Sequence, residues 1–160
     1  MKSLWAPWRM EFILEPKKPG CVFCTLPKET DDRKNLIIWR RQNVFAILNK
    51  YPYNTGHVMV VPNTHAATLK TLDTPVLSQL METTSEVISA LEHIYEPNGF
   101  NIGMNLGLAG GAGIADHIHM HVIPRWHGDT NFMPILSETK AIPQHLAVTF
   151  DKFSEYFKKR

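Results

Sequence analysis

Cysteine is almost missing from this chain. Its 160 residues contain two, Cys21 and Cys24. A disulfide-stapled secreted scaffold is excluded by that count. Two thiols at CxxC spacing read as a metal or redox pair, or as two reduced buried thiols. Long apolar runs are missing too, and none approaches the ~20 residues needed to span a bilayer. The segment Met1–Met10 holds Pro7, Trp5 and Trp8 and lacks the basic-then-apolar order of a secretory leader. A cytoplasmic protein is therefore expected. Charge of one sign is scarce: the net +2 is too small to imply a nucleic-acid or membrane partner, and neither is expected. The terminal Lys158-Lys159-Arg160 reads as a solvated helix end favoured by the helix dipole. No internal repeat or low-complexity tract is apparent.

What remains is an ordinary globular composition, 44% apolar and 20% charged, long enough to bury one sizeable core. Residues 1–20 read as an N-terminal arm ending in Pro16-Lys17-Lys18-Pro19-Gly20, with a short helical turn over Arg9–Leu14. Residues 21–160 read as a single domain. Leu36–Arg40 and Val44–Leu48 are expected as strands joined by a tight turn, and Val58–Val61 as a short buried strand. Asp73-Thr74-Pro75 is a helix start with a capping residue and an early proline. Leu77, Leu80, Met81, Thr84, Val87, Ile88, Leu91 and Ile94 follow at helical spacing, and Glu96-Pro97-Asn98-Gly99 ends the helix. Phe100–Met104 reads as a strand, Gly107–Gly113 as a flexible glycine-rich loop, and Gln144–Lys159 as a second helix with Leu146, Phe150, Phe153 and Phe157 on one side. Strands, one long helix and further strands predict an α+β fold with antiparallel pairing.

The densest chemistry lies in His117-Ile118-His119-Met120-His121-Val122-Ile123. In a strand, alternate side chains share a face, so three imidazoles would line one surface while Ile118, Met120 and Val122 face the core. Imidazole titrates near neutral pH and serves as nucleophile, acid, base or ligand. A lone strand histidine is usually structural. Three in register make a reactive surface or a metal comb.

The triad followed by Pro124-Arg125 resembles the histidine triad superfamily of nucleotide hydrolases and transferases. Asn54-Thr55-Gly56-His57-Val58-Met59-Val60-Val61-Pro62 is similar to that family's Gly-His strand motif. Cys21-Val22-Phe23-Cys24 is similar to the cysteine pair of its zinc-containing bacterial members. The three matches occur in the family's order. Trp5-Ala6-Pro7-Trp8-Arg9 and Trp126-His127-Gly128-Asp129-Thr130-Asn131-Phe132 look like the bacterial branch that includes diadenosine tetraphosphate phosphorylases.

That resemblance implies a five-stranded antiparallel sheet with one long and one C-terminal helix, and a homodimer whose sheets join across the two-fold. It implies that the middle histidine, His119, is the nucleophile and that His121 contacts the phosphate and leaving-group region. It places His57 beside the triad to order the imidazoles; taken alone, His57 could be a capped turn residue. Asn49 and Asn105 fall where the family contacts the nucleotide, although both could be turn formers. Phe23, Phe45 and Ile47 are candidates to grip the base, with core packing as the other role. His65 and His117 complete a Cys2His2 set with Cys21 and Cys24, a tetrahedral ligand set suited to structural zinc. Zinc is not required for the chemical step if cationic and backbone donors stabilise the phosphoryl oxygens.

Two features point toward inorganic phosphate as a possible acceptor. The Gln-Ser/Thr segment common before the first triad histidine is replaced by Gly113-Ile114-Ala115-Asp116, and the tail carries Trp126–Asn131. Gly111 and Gly113 can present amides to an anion, with Arg125 and His127 adding charge nearby. On its own the glycine cluster is equally a surface loop. The expected activity is cleavage of dinucleoside polyphosphates through a nucleotidyl-histidine, giving ADP and ATP from diadenosine tetraphosphate. Hydrolysis of the same bond type or of AMP-amine and AMP-ester conjugates, a nucleotide-binding regulatory role with little turnover, and pure metal binding are the competing readings.

Overall fold

The computed structural model describes residues 20–129 and 144–159. Residues 1–19 of the expected arm, the Arg9–Leu14 turn, the Trp5–Arg9 motif and Thr130–Phe132 of the tail motif lie outside them.

A short helix α1 (Val22–Thr25) opens the described chain, followed by a 3-10 turn and a second short helix α2 (Asp32–Asn35) capped by the Asp31 side chain. Strands β1 (Ile37–Arg40), β2 (Val44–Leu48) and β3 (Val58–Pro62) come next. The long helix α3 (Thr74–Tyr95), strands β4 (Gly99–Gly103) and β5 (Met120–Arg125), and helix α4 (Leu146–Lys158) complete the order. The five strands form one antiparallel sheet in the order β1-β2-β3-β5-β4. The expected α+β class is what the chain adopts.

Local chemistry explains the boundaries. Leu36, expected in β1, instead caps α2 with left-handed backbone at φ 61°, so the strand starts at Ile37. The Asp73 side chain accepts from Val76 N–H and caps α3 at the predicted place. Its buried stripe is Val76, Leu80, Thr83, Thr84, Val87, Ala90 and Leu91. Met81 was expected on that stripe but is 56% exposed, because it sits one helical step beyond Leu80 and off the buried face. Buried Thr84 remains compatible with the core because its hydroxyl donates to the Leu80 carbonyl at 2.8 Å.

Both faces of β2 and β3 are buried along their whole lengths. Val44, Ala46, Leu48, Val58, Val60, Ile118 and Val122 meet α3 and α4 on one face. Phe153 is fully buried there, and the Phe157 ring stacks on Trp39 of β1 at 4.6 Å. The opposite face holds a smaller cluster of Phe23, Ile37, Phe45, Ile47, Met59 and Val61. Each fully buried Leu, Val, Ile or Phe contributes roughly 1.5–3 kcal/mol.

The triad departs from the expected strand. The β3–β5 ladder runs from Met120 to Val122, so His117 and His119 precede β5 and only His121 lies within it. Ile118 N–H donates to the Ala66 carbonyl outside the sheet. The alternation survives: Ile118 and Val122 enter the helix-side core and Met120 packs against it. Among the described residues no helix is long and apolar enough to cross a membrane.

Candidate active site and metal centre

The site is built on the turn between β2 and β3. Gly56 has φ +75°, and a Cβ there would fall 2.9 Å from Leu91 Cδ2 and 3.3 Å from the Tyr95 ring. Only glycine lets this turn both adopt left-handed backbone and press against α3. Asn54, 6% exposed, donates from Nδ2 to the Pro124 carbonyl and to Asp129 Oδ2, each at 3.0 Å. The Asn54 carbonyl accepts His57 N–H, and the His57 carbonyl accepts Asn49 N–H. The imidazole of His57 is thereby delivered, 1% exposed, to the triad.

Hydrogen bonds fix where the protons sit. Tyr53 N–H donates to His57 Nδ1 at 3.1 Å, and Asn49 Nδ2 lies 3.4 Å from the same atom. A nitrogen that accepts carries no proton, so neutral His57 bears its proton on Nε2. That Nε2–H lies 2.9 Å from His121 Nδ1 and donates to it, which leaves the His121 proton on Nε2. His119 Nδ1 lies 2.9 Å from the His117 carbonyl, a group that only accepts. Nδ1 of His119 is therefore the protonated nitrogen, and its Nε2 keeps a free lone pair. The His119 and His121 rings are 4.8 Å apart at 70°, and Phe23 flanks His119 at 5.0 Å. Burial, followed by repulsion from neighbouring imidazoles, pushes His57 down to about 3 and His121 to about 4. Burial lowers His119 as well. His57 and His121 are therefore neutral at pH 7, and the burial of His119 favours its neutral form.

A second cluster abuts the first. His117 Nδ1 lies 3.2 Å from Cys21 Sγ and 3.5 Å from Cys24 Sγ, and His65 Nδ1 lies 3.3 Å from Cys24 Sγ. All four ligand atoms fall within 4.8 Å of one another. Tetrahedral zinc, with Zn–S of about 2.3 Å and Zn–N of about 2.0 Å, separates its ligand atoms by roughly 3.5 Å. The set fits such an ion. His117 Nε2 donates to the Pro62 carbonyl at 2.9 Å, which turns the lone pair of Nδ1 toward the thiols and anchors the ring. Burial, then the nearby Cys21 thiol, pushes Cys24 up, toward its neutral thiol.

Other expected residues land less directly. Asn49 follows β2, half-buried, and its Oδ1 accepts Tyr51 N–H. Asn105 donates to the Gly111 carbonyl at 3.4 Å. Gly111 N–H was expected to face an anion but donates to the Leu108 carbonyl at 3.0 Å; Gly113 is exposed. Arg125 was expected to add charge near the nucleophile. Its guanidinium instead pairs with Asp129 at 2.6 and 2.8 Å and donates to Asn101 Oδ1. The backbone N–H of His127 donates to Asn98 Oδ1. Phe23, Phe45 and Ile47 are buried in the smaller cluster, and Phe23 also walls the imidazoles.

Sequence reasoning missed Tyr53, Asn54 and Asp129 as parts of the site. Tyr53 acts through its backbone N–H, which leaves no trace in side-chain spacing. Asn54 and Asp129 stood inside recognised motifs, but 75 residues apart with nothing to pair them.

The HIT domain family model matches residues 30–128. The AP-4-A phosphorylase of Mycobacterium tuberculosis is 39% identical over 158 residues, covering 93% of this chain and 80% of that protein. A zinc-bound histidine triad family protein from Mycobacterium smegmatis has the same fold, with TM-score 0.69, 22% identity, and coverage of 88% of this chain and 94% of that one. A histidine triad nucleotide-binding protein from Sulfolobus tokodaii gives TM-score 0.69 at 24% identity, covering 87% and 93%. With the family model spanning both the Gly56-His57 turn and the triad, this chain belongs to the histidine triad, or HIT domain, family.

Proposed function

We propose that this protein is an enzyme that cleaves dinucleoside polyphosphates through a covalent nucleotidyl-His119, transferring AMP from diadenosine tetraphosphate to inorganic phosphate. The observation that carries this reading is the proton arrangement: a lone pair on His119 Nε2 beside an N–H on His121 Nε2. The lone pair attacks the α-phosphorus, the bond to the bridging oxygen breaks, and ATP leaves. A phosphate oxygen then attacks the same phosphorus, the P–N bond breaks, and ADP departs with His119 restored. His121 Nε2–H donates to the oxygen that gains charge as ATP leaves. The 39% identity to a protein named AP-4-A phosphorylase supports both substrate class and acceptor.

His57 holds His121 in the donating tautomer. Asn49, beside His57, meets the ribose hydroxyls; Asn105 and Gly113 shape the loop over the phosphates. Cys21, Cys24, His65 and His117 hold one structural zinc, a reading supported by their fit and by the zinc-bound relative of the same fold. When bound, zinc supplies a cross-link between α1 and the segment entering β5. With four protein ligands it keeps no open position for substrate. Residues 21–160 act as one domain, in a homodimer.

The test is diadenosine tetraphosphate incubated with and without inorganic phosphate, products separated by chromatography. The rate should rise and saturate with phosphate, giving ADP and ATP. A flat response with AMP and ATP throughout makes water the acceptor and the enzyme a hydrolase. Binding without turnover leaves the regulatory reading.

A further inference from the structure

The turn after β5 is more heavily tied down than a surface turn needs to be. Asp129 lies four residues beyond Arg125, and its side chain is 10% exposed. Its carboxylate accepts from Arg125 Nε and Nη2, from Trp126 N–H and from Asn54 Nδ2. Arg125 uses its remaining nitrogen on Asn101 Oδ1, so this cation is directed along the strand end rather than toward the triad.

The bond from Asn54 changes what the cluster does. Asn54 Nδ2 sits between two acceptors, Asp129 Oδ2 and the Pro124 carbonyl, which sets the orientation of its amide. Its Oδ1 is thereby turned back to accept Thr55 N–H. The same residue carries the carbonyl that receives His57 N–H, and its neighbour Tyr53 carries the N–H that holds His57 Nδ1. Position and tautomer of His57 are thus both set by backbone groups of the turn that Asn54 locks. His57 Nε2–H in turn sets which nitrogen of His121 carries the proton.

We infer that Asp129 is a positioning residue: through Asn54 it holds the Tyr53–His57 turn so that the His57–His121 pair keeps a single proton arrangement, with the His121 N–H directed at the reacting phosphate. A carboxylate is suited to the task because it accepts from Asn54, Trp126 and Arg125 together, which an amide cannot do. The catalytic arm of the test rests on the proposed function, while the structural arm does not.

The test compares wild type, Asp129→Asn and Arg125→Gln as full-length protein. Long-range ¹H–¹⁵N spectra of the imidazoles report the tautomers directly. Wild type should show His57 and His121 as single Nε2–H forms. Asp129→Asn should mix the tautomers of both rings and lower kcat for diadenosine tetraphosphate roughly tenfold to a hundredfold, with KM within about twofold, the range for residues that orient reacting groups. Arg125→Gln removes the ion pair but keeps the Asp129–Asn54 bond, so its tautomers should stay single. If Asp129→Asn does not fold, Asp129→Glu, which keeps the charge but displaces the carboxylate from Asn54, carries the same readouts. Unmixed tautomers and unchanged kcat in the Asp129 variant overturn the inference. Equal tautomer mixing in Arg125→Gln also overturns it, because an ion pair that merely stabilises the turn would then suffice. A wild type that turns over nothing would sink the proposed function, and the tautomers would still decide the role of Asp129.

Discussion

The two faces of the sheet are closed by different kinds of matter. On one, α3 and α4 lay amphipathic stripes over valines, leucines and alanines of the inner strands. On the other, four-residue α1 covers far less, and the face is filled by Phe23, Phe45 and Met59 together with buried imidazoles and a thiol pair. The first face is held by area, a sum of non-directional contacts in which volume matters more than identity. The second is held by direction. Each buried imidazole needs a partner at each nitrogen or a task for the lone pair left over, because an unsatisfied buried polar group costs about 1–3 kcal/mol. The proposed function sits where direction matters, and the helix face supplies the rigidity against which those directions are set.

The largest effect that sharpens this contrast is chemical. His119→Ala should lower turnover of diadenosine tetraphosphate by at least about a thousandfold, the scale of losing a covalent nucleophile, with nucleotide binding still measurable by calorimetry. His121→Ala should cost less, because in the proposed mechanism it donates rather than attacks. Near-normal turnover of His119→Ala, in protein free of wild type, would remove the nucleophile from this face.

Acid should attack one face and spare the other. His57 and His121 have folded values of about 3 and 4, below the unfolded value of about 6.5. For groups shifted downward, the unfolded chain binds more protons between those limits. Their contribution is fully present above about pH 6.5 and is lost as pH falls toward 4 and 3. Chemical denaturation at pH 7 and pH 4.5 should therefore differ by on the order of 5 kcal/mol through these two rings. His57→Gln should flatten that slope. An unchanged slope in the variant would mean that the imidazoles are not desolvated as the fold places them.

On the helix face, Leu91→Ala should cost about 3 kcal/mol, since Leu91 is fully buried against the sheet. Gly56→Ala should also destabilise, by left-handed strain and by the 2.9 Å approach to Leu91 Cδ2. The two penalties should not add. In the Leu91→Ala background the closest clash is gone, leaving the 3.3 Å approach to the Tyr95 ring and roughly 1 kcal/mol of backbone strain. Strictly additive penalties in urea unfolding would show that Gly56 does not press on that helix.

Legibility in the sequence follows the same division. Area is periodic, so the α3 start at Asp73, the strands flanking Arg41–Asn43 and the phenylalanine side of α4 could be read from spacing. Met81 was misplaced because an apolar residue adjacent to a buried one fits a loose stripe without lying on it. Direction is not periodic. Alternation put the three imidazoles on one face, but not the ladder's start at Met120. Pro62 has no N–H to extend the β3 ladder, and its carbonyl takes the His117 ring instead. The resemblance to the family, rather than spacing, suggested His65 and His117 for the thiol pair, and the fold brings all four ligands together. The Gly111 amide turns inward to Leu108, a turn preference that a string of glycines does not reveal. The Tyr53 N–H and the Asn54–Asp129 bond were invisible because one belongs to the backbone and the other joins distant segments.

The smallest expected effect on chemistry comes from the proposed zinc ligands, although one of them, His117, is only two residues from the proposed nucleophile in sequence. His117 is two residues from His119 and lends it a carbonyl, but through its backbone; its ring serves the thiols. The Pro62 carbonyl anchors that ring from the other side. Cys24, with exposed His65, forms the outer edge of the cluster, away from the His119–His121 pair. Cys24→Ala should therefore lower zinc content, measured by elemental analysis of protein purified without chelator, from about one per chain. It should also lower the unfolding temperature, because α1 and Phe23 lose their tether to the segment before β5. kcat should fall by no more than about tenfold, the lower end of what changes around a metal site cost. Full zinc content with unchanged stability would favour two reduced thiols over a metal centre. A loss of turnover matching that of His119→Ala would mean that the cluster directs the nucleophile itself, and the division of this face into a tether and a reacting pair would fail.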